Sequence, residues 1–370
     1  MKSDLYIRPF SSLCSDIGEV GLDDIFGLCT LSDAQREALK ANPNRADETE
    51  PVQVLGLVDN KVVGQETVFP VRVKANGKVY TAMAGSGLYV HEDYRKSMLG
   101  VSLITKREEL SADGIALGCG LSQLALPAHL MFDYLCFSLP RLMWMFKSRA
   151  VIEKKLGRSP VSRLVSGFVD GLLWLVALVF KAIVRFRTRG LVVEKAVQAD
   201  DQVARLINQD SHLFACEHSA TWLNWQLNYR FTEDYRGEQK LFVVRDKDRR
   251  LMGFFMYKVR FHETASQRGY KNLLLGSLME WQSADPHVVS HATLALMAVL
   301  EMRKDGVDAV EVCTDDEPML SDLRKMLFPQ VGDLSFVLRA TEASPLRQCE
   351  GWDNQKNWRL RPCEGDNGLS

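Results

Sequence analysis

Two stretches of this chain repeat the same order of predicted elements, and this repetition limits the fold more than any other feature. Residues 52–90 contain three strand-like segments, with the Asn-Gly pair at 76–77 marking a hairpin turn. Residues 241–281 contain three more, and each stretch leads into a helix-like segment and a further strand. Gly253 follows Gly64 at an offset of 189 residues (253 − 64). We therefore predict two copies of one α+β unit, the alternative being two unrelated α+β domains.

The length and composition agree with two folded domains. The chain has 370 residues, of which 46% are apolar and 25% charged, which excludes a disordered protein. We predict an N-terminal domain at 1–140, a basic and apolar helical insert at 141–190, and a C-terminal domain at 191–370. The eight cysteines form no Cys-x-x-Cys pair, so no metal site is expected.

Residues 87–100, GLYVHEDYRKSMLG, carry a predicted strand through a charged turn into a predicted helix. The first turn of a helix has backbone N–H groups without partners and a partial positive charge, which together bind phosphate. Arg95 and Lys96 would add charge, and the Ser97 hydroxyl could donate a hydrogen bond. The alternative is an ordinary capped helix with charged residues on its surface.

The order of elements in each stretch resembles that of the GNAT acyltransferase fold. The turn at 87–100 resembles the acetyl-CoA motif of that family, in which Arg-x-x-Gly-x-Gly follows a strand ending in Val. Val90, Arg95 and Gly100 match this motif, whereas Met98 replaces its first glycine. The resemblance implies acetyl-CoA as the acyl donor. The end of the strand, at 88–90, would pair with the pantetheine arm of the donor. The donor-binding residues that it implies are Leu88, Tyr89, Val90, Arg95, Lys96, Ser97, Met98, Leu99 and Gly100.

Two further segments resemble GNAT-like proteins from bacterial surface-polysaccharide clusters. One is HSATWLNWQLNYRF at 218–231, where Gln226 stands in place of the usual Arg, and the other is the tail from Asn357. The second stretch lacks the donor motif, and Asp285 in the corresponding turn would repel a pyrophosphate. We therefore expect the C-terminal copy to be degenerate.

The catalytic residues are less well specified. Glu66, on the second predicted strand, is a candidate base for deprotonating an amine acceptor, and His91 is another. The family's general-acid tyrosine aligns with Phe132. We predict a helix over 126–146, interrupted at Pro140, and Tyr134 would lie about 200° around it from Phe132. Tyr134 therefore cannot simply take that position, although it stays a catalytic candidate. Either another residue donates the proton, or the thiolate leaves unassisted, or this half is not catalytic.

The insert at 141–190 combines charge with apolar residues. It holds eleven Lys and Arg residues against Glu153 and Asp170 alone, and residues 171–180 are wholly apolar apart from Gly171. Basic residues flank both sides, which favours a segment lying in one leaflet of an anionic membrane. A buried helix and a membrane-spanning helix are the alternatives.

The sequence thus predicts an N-acetyltransferase that moves an acetyl or other acyl group from CoA to an amine. The acceptor would be an amino sugar in surface-polysaccharide or lipid-linked precursor synthesis. The first residues lack the apolar core of a signal peptide, so we expect a cytoplasmic protein, peripheral at the inner face of the membrane. No nucleic acid partner is expected. The alternatives are an aminoacyl-tRNA-dependent transferase of the peptidoglycan type and a non-catalytic membrane-associated scaffold.

Overall fold

The computed structural model describes residues 3–13, 17–122, 125–209, 211–230, 238–262 and 272–364. Its strands are β1 Ser3–Pro9, β2 Pro51–Val58, β3 Lys61–Ala75, β4 Lys78–Val90, β5 Ile115–Cys119, β6 Leu135–Met145, β7 Val192–Ala196, β8 Phe214–Cys216, β9 Gln239–Arg245, β10 Leu251–His262, β11 Leu273–Ser283, β12 Ala309–Cys313, β13 Gln330–Ala340 and β14 Trp358–Arg359. Its α-helices are α1 Asp33–Lys40, α2 Leu99–Leu110, α3 Ala125–Leu130, α4 Arg149–Leu156, α5 Pro160–Arg187, α6 Asp201–Asn208, α7 Ala220–Asn228, α8 His291–Lys304 and α9 Glu317–Lys325.

The chain forms two compact units, each assembled from separate segments. Unit 1 comprises Met1–Ser138, Ser211–Glu233 and Ser335–Ser370, and unit 2 comprises Leu139–Asp210 and Asp234–Leu334. Each unit therefore takes segments from both sides of the predicted insert. The functional division into 1–140, 141–190 and 191–370 stays a prediction.

Unit 1 contains a mixed sheet in the order β1, β2, β3, β4, β5 and the C-terminal part of β13. Strands β1 to β4 form an antiparallel meander, β4 and β5 are parallel, and β13 is antiparallel to β5. Helix α2 connects β4 to β5 as a crossover, which a parallel pair requires. It buries Leu99 and Leu103 against Val54, Val63 and Met83 of the sheet.

Unit 2 contains a sheet with the same order of pairing. Strands β7, β9, β10 and β11 are antiparallel neighbours, β11 and β12 are parallel, and the C-terminal part of β6 is antiparallel to β12. Helix α8 is the crossover and buries nine of its residues. The α+β class with mixed sheets and flanking helices is confirmed, and duplication of one unit remains our interpretation of the shared pairing order.

The predicted helix over 126–146 is wrong. Helix α3 ends at Leu130, and the chain turns at Asp133, whose φ of 55° is incompatible with a continuing α-helix. The residues from Leu135 onward form β6, in which Phe137, Leu139, Leu142 and Trp144 are buried. The alternation of buried residues, shifted by one residue near Pro140, has the period of a strand rather than of a helix.

Helix α5 occupies most of the predicted insert, which confirms that this region is helical. It has 28 residues and is long and apolar enough to cross a membrane by length and composition, with a mean hydropathy of 2.0 in its most apolar window. Only 17% of that window is buried. Contact of this helix with a membrane stays a prediction.

Candidate functional site

In unit 1 the parallel strands β4 and β5 separate partway along β4. Their pairing runs from Ala82 opposite Ile115 to Ala84 opposite Leu117 and stops there. Strand β4 continues to Val90, held on its other side by β3. No strand in the described part of the chain pairs with this length of β4 on the β5 side. The backbone from 85 to 90 therefore presents an open edge, which can pair with an extended amide-containing ligand.

Helix α2 begins close to the end of this edge, and its first amides are mostly uncapped. The N-cap residue Met98 makes no capping hydrogen bond through its side chain. Across the described ranges, the backbone amides of Met98, Gly100 and Val101 have no hydrogen-bond partner. The Leu99 amide has one, since it donates to the Ser97 hydroxyl over 3.3 Å. Three amides at one helix terminus are thus available to an anion.

The side chains around this turn differ in their availability. Arg95 Nε donates to the carbonyl of Val90 at 3.1 Å, which holds the guanidinium at the end of β4. Ser97 uses its hydroxyl within the turn by donating to the Tyr94 carbonyl at 2.6 Å. The Met98 side chain is 60% exposed, so it extends into solvent. Lys96 is also exposed.

Gly100 and Leu99 differ in how their side-chain positions are packed. A Cβ at Gly100 would meet Val90 at 3.6 Å, an ordinary contact distance, so the glycine is not required by its own chain. Leu99 is fully buried in the core of unit 1, and Leu88 packs against the same cluster. Any donor contact by Leu99 would therefore involve its backbone.

Glu66 lies in a buried ion pair rather than on a solvent-facing strand. It is 1% exposed, and its Oε1 accepts from Arg107 Nη1 of α2 at 2.7 Å. The pair packs on Gly85, where a Cβ would overlap both side chains. Gly85 is the first residue of β4 beyond the pairing with β5, so the ion pair lies next to the point where the strands separate.

Tyr134 and His129 complete a polar cluster around Arg107. Arg107 Nη2 lies 3.3 Å from the Tyr134 hydroxyl and 3.2 Å from His129 Nε2. His129 Nδ1 lies 2.9 Å from the carbonyl of Ala125, so Nδ1 carries the proton and Nε2 accepts from the guanidinium. Tyr134 is 4% exposed and follows α3 rather than lying on a helix.

The environment sets the protonation of this cluster. Burial and the Arg107 guanidinium lower the pKa of His129 to about 4, so the imidazole is neutral at neutral pH. Burial raises the pKa of Tyr134 above its usual range despite the adjacent Arg107. Burial lowers the pKa of Arg107, but Glu66 and Tyr134 more than reverse this, so the guanidinium stays charged.

Arg107 and His129 are not among the residues predicted from the sequence. Arg107 follows Leu99 and Leu103 at helical spacing, so it continues the buried face of α2. A positive charge on that face requires a buried acidic partner, and this requirement could have identified Glu66. For His129, inside a short helix, no comparable pattern exists.

His91 lies in the turn after β4. Its ring stacks on Phe26 with centroids 3.9 Å apart, and Nδ1 lies 3.6 Å from the Asp93 carboxylate. Its backbone amide donates to the carbonyl of Val63 at 2.8 Å. The imidazole is thus held beside the strand end by stacking.

The two segments that resemble polysaccharide-cluster proteins meet in unit 1. Trp358 of β14 pairs with Phe214 of β8, and β8 in turn pairs with β3. Gln226 donates from Nε2 to the carbonyl of Cys363 at 2.7 Å. The predicted tail beyond Glu364 lies outside the described residues.

The corresponding turn in unit 2 is closed. Ser290 caps α8 by accepting from the Thr293 amide at 3.2 Å. The carboxylate of Asp285 in the same turn accepts from the amide of His287 at 2.9 Å. Neither feature favours a phosphate, in contrast to the start of α2.

The solved structures similar to this chain include two acyltransferases and one probable acyltransferase. Saccharomyces cerevisiae N-myristoyltransferase with bound myristoyl-CoA matches over 91% of this chain and 79% of its own, with 14% identity and a TM-score of 0.56. A conserved protein of unknown function from Enterococcus faecalis V583, a probable N-acyltransferase, matches over 94% and 75%, with 10% identity and a TM-score of 0.54. A GCN5-related N-acetyltransferase from Anabaena variabilis matches over 92% and 73%, with 12% identity and a TM-score of 0.52.

These likenesses establish the fold. This chain has the GNAT-type N-acyltransferase fold, which confirms the resemblance to the GNAT fold seen in the sequence. No protein-family model matches the chain, and no curated protein matches it by sequence.

Proposed function

We propose that unit 1 transfers an acyl group, acetyl in the first instance, from CoA to an amine. The observation that carries this proposal is the coincidence of two features at residues 85–101. An open length of β4 backbone begins where β5 separates, and α2 starts at its end with three free amides. The fold, shared with a protein that binds myristoyl-CoA, supports the same assignment.

The donor would lie along the open edge of β4. The amides of the pantetheine arm would pair with the backbone of Leu88, Tyr89 and Val90 as an added strand does. The pyrophosphate would accept from the free amides at the start of α2, with charge from Arg95 and Lys96. This places the thioester toward Gly85, where β4 and β5 meet.

The reaction we propose is direct transfer in a ternary complex. The amine nitrogen attacks the thioester carbonyl carbon, a C–N bond forms, the C–S bond breaks, and the CoA thiolate leaves with the electron pair. The amine must lose a proton to a base before or during attack, and the thiolate gains one. A developing oxyanion on the carbonyl would be stabilised by backbone N–H groups of the β4 edge.

Three residues remain our candidates for proton transfer. Glu66 lies nearest the strand separation, but its Oε1 is engaged by Arg107. Tyr134 shares that guanidinium, and its hydroxyl keeps its proton because burial raises its pKa. His91 lies at the other end of the β4 edge. The geometry favours Glu66 and Tyr134 over His91 for contact with the reacting atoms.

The acceptor belongs to the same proposal. Residues 218–231 and the C-terminal tail resemble GNAT-like proteins from bacterial surface-polysaccharide clusters. This resemblance favours an amino sugar of surface-polysaccharide or lipid-linked precursor synthesis as the acceptor. A membrane surface would present a lipid-linked acceptor. We also propose that unit 2 is a duplicated but inactive copy, since Ser290 already caps the helix that would bind phosphate.

The test is release of free CoA thiol from acetyl-CoA with a panel of amines that includes amino sugars. We expect amine-dependent release, with kcat reduced at least about tenfold by Tyr134→Phe or Glu66→Gln and little changed by His91→Gln. Thermal unfolding of each variant controls for loss of fold.

Two other outcomes would overturn the proposal. Turnover with aminoacyl-tRNA in place of acetyl-CoA would assign the chain to the tRNA-dependent class. A complete lack of CoA binding and turnover would favour a scaffold. The replacement of the first motif glycine by Met98 supports that alternative less than the sequence alone suggests, because the Met98 side chain extends into solvent.

A further inference from the structure

Helix α5 packs along one side against the rest of unit 2. Its Ser159 N-cap forms a capping box with Ser162, so the helix has a defined start. In its C-terminal half, Phe180 and Val184 belong to the core of unit 2. Phe180 packs against the rings of Trp144 and Phe328, with centroids 6.2 and 6.1 Å apart. A helix covered in this way along one side is not surrounded by lipid.

The opposite face of α5 is bare and apolar. The exposed residues recur at spacings of three, four and seven, so they lie on one side of the helix. We call this face the apolar stripe, and its residues are Leu164, Phe168, Leu172, Leu175, Val179 and Phe186. Each is between 49% and 80% exposed. A contiguous apolar surface of this length marks an interaction site.

The one acidic residue of this helix does not interrupt the stripe. Asp170 accepts hydrogen bonds at Oδ1 from the Ser148 amide at 2.6 Å and from the Ser148 hydroxyl at 2.7 Å. Ser148 is the N-cap residue of α4. The carboxylate is thus turned toward the start of α4, where the helix dipole favours a negative charge.

A groove of about 570 Å³ runs beside the stripe between α5 and α8. Trp174 and Leu178 of α5 and Met297 and Leu300 of α8 give it apolar walls. Its volume falls in the range of ordinary ligand sites.

Cations line the same groove. Arg303 and Lys304 have partners, at the Ala177 carbonyl and the Glu301 carboxylate. Lys181 and Arg185 have no ion-pair or hydrogen-bond partner among the residues that the structure describes. The groove therefore offers apolar walls and two unpaired positive charges, which is complementary to an amphiphile with an anionic head.

We propose that this groove binds an anionic phospholipid and that the apolar stripe seats unit 2 on the membrane surface. The phosphate lies between Lys181 and Arg185, an acyl chain lies along Trp174 and Leu178, and the stripe enters the headgroup–acyl boundary. A second copy of the chain would bring two sets of these cations together, so charge favours lipid. The inference concerns unit 2 alone, and its test uses no CoA.

The first test is co-sedimentation of the full chain with phosphatidylcholine vesicles with and without phosphatidylglycerol. The wild type should bind the anionic vesicles at low salt. Lys181→Glu/Arg185→Glu should weaken that binding roughly 25-fold or more, from about fivefold per basic residue lost. The control Lys61→Glu/Lys78→Glu makes the same change in net charge at exposed turns of unit 1. It should change binding by less than about twofold, because neither of those lysines lines the groove.

The second test asks whether the bound lipid lies in the groove, which Trp174 lines. Trp174 is 55% exposed, and it is the one tryptophan among the large exposed apolar residues of the described chain. Vesicles with brominated acyl chains should quench its fluorescence on binding, and Trp174→Phe should remove that quenching while the protein still sediments.

Each contrary result overturns the proposal. These are a wild type that stays in the supernatant with anionic vesicles, equal losses in the groove and control variants, or no quenching of Trp174. A further contrary result would be a stable dimer, detected by light scattering, that does not bind vesicles. If Leu164→Glu/Phe168→Glu converted that dimer to a monomer, the apolar stripe would be the contact surface between two copies of the chain.

Discussion

At the scale of single residues, the buried cluster around Arg107 distinguishes unit 1 most sharply. Its guanidinium contacts Glu66, Tyr134 and His129, which come from a strand and from the segment after β5. Glu66 and Tyr134 can be selected from the sequence for their chemistry, but nothing in the sequence indicates that they meet. Arg107, which joins them, was not predicted, because a helical pattern alone does not say which strand its buried face packs against.

Removing the charge of Arg107 should destabilise the protein strongly. Arg107→Met leaves the Glu66 carboxylate buried without its cation, and we expect a loss of about 3–5 kcal/mol in the free energy of unfolding. Denaturant titration measures it. Lys106→Met is the matched control, since Lys106 forms a solvent-exposed pair with Glu109, and it should cost less than about 1 kcal/mol. Equal losses in the two variants would contradict the account.

His129 should make stability depend on pH. Its pKa is lowered from 6.5 to about 4 in the folded protein, so the unfolded chain binds a proton there that the folded chain does not. That contribution is present above pH 6.5 and is lost as the pH falls toward 4, by up to about 3 kcal/mol. Denaturant titrations at a series of pH values should show this loss for the wild type but not for His129→Gln. His287→Gln, at an exposed position, serves as control, and a His129→Gln profile identical to the wild type would contradict the prediction.

At the scale of elements, the strands and crossover helices were readable from the sequence. Alternation, the Asn-Gly turn and the apolar helices placed β2 to β4, β9 to β11 and α8 nearly as the structure has them. The segment after α3 was not readable, because the apolar residues from Leu135 to Trp144 also fit a helix when their neighbours are unknown. The point where β4 and β5 separate could not be predicted, because register between distant strands depends on their tertiary partners.

The start of α2 gives an element-scale prediction in which stability and binding change in opposite directions. Met98→Asp supplies the missing cap, and it should stabilise the protein by about 0.5–2 kcal/mol. Its carboxylate would occupy the free amides, so acyl-CoA binding should be lost. Thermal unfolding and equilibrium dialysis with acetyl-CoA measure the two effects. Met98→Ala should change neither, and a Met98→Asp protein that retains acetyl-CoA would place the phosphates elsewhere.

At the scale of the whole molecule, neither unit is a continuous piece of chain. In unit 1, β5 pairs with β13 residues 336–340, and β3 pairs with β8. A chain cut after residue 140 would lose both partners and expose the β5 edge. We expect residues 1–140 alone to show no cooperative thermal transition by circular dichroism. A sharp transition would show instead that the first predicted domain folds independently.

The most direct test of the central claim is calorimetric titration of the whole chain with acetyl-CoA. The claim is that the open edge of β4 and the first amides of α2 hold the donor. We predict a dissociation constant on the order of micromolar, weakened at least about tenfold by Arg95→Glu, which sets a negative charge beside the diphosphate. Lys78→Glu, an equal charge change at the β3–β4 turn, should bind as the wild type does. Absence of binding by the wild type, or unchanged binding by Arg95→Glu, would contradict the claim.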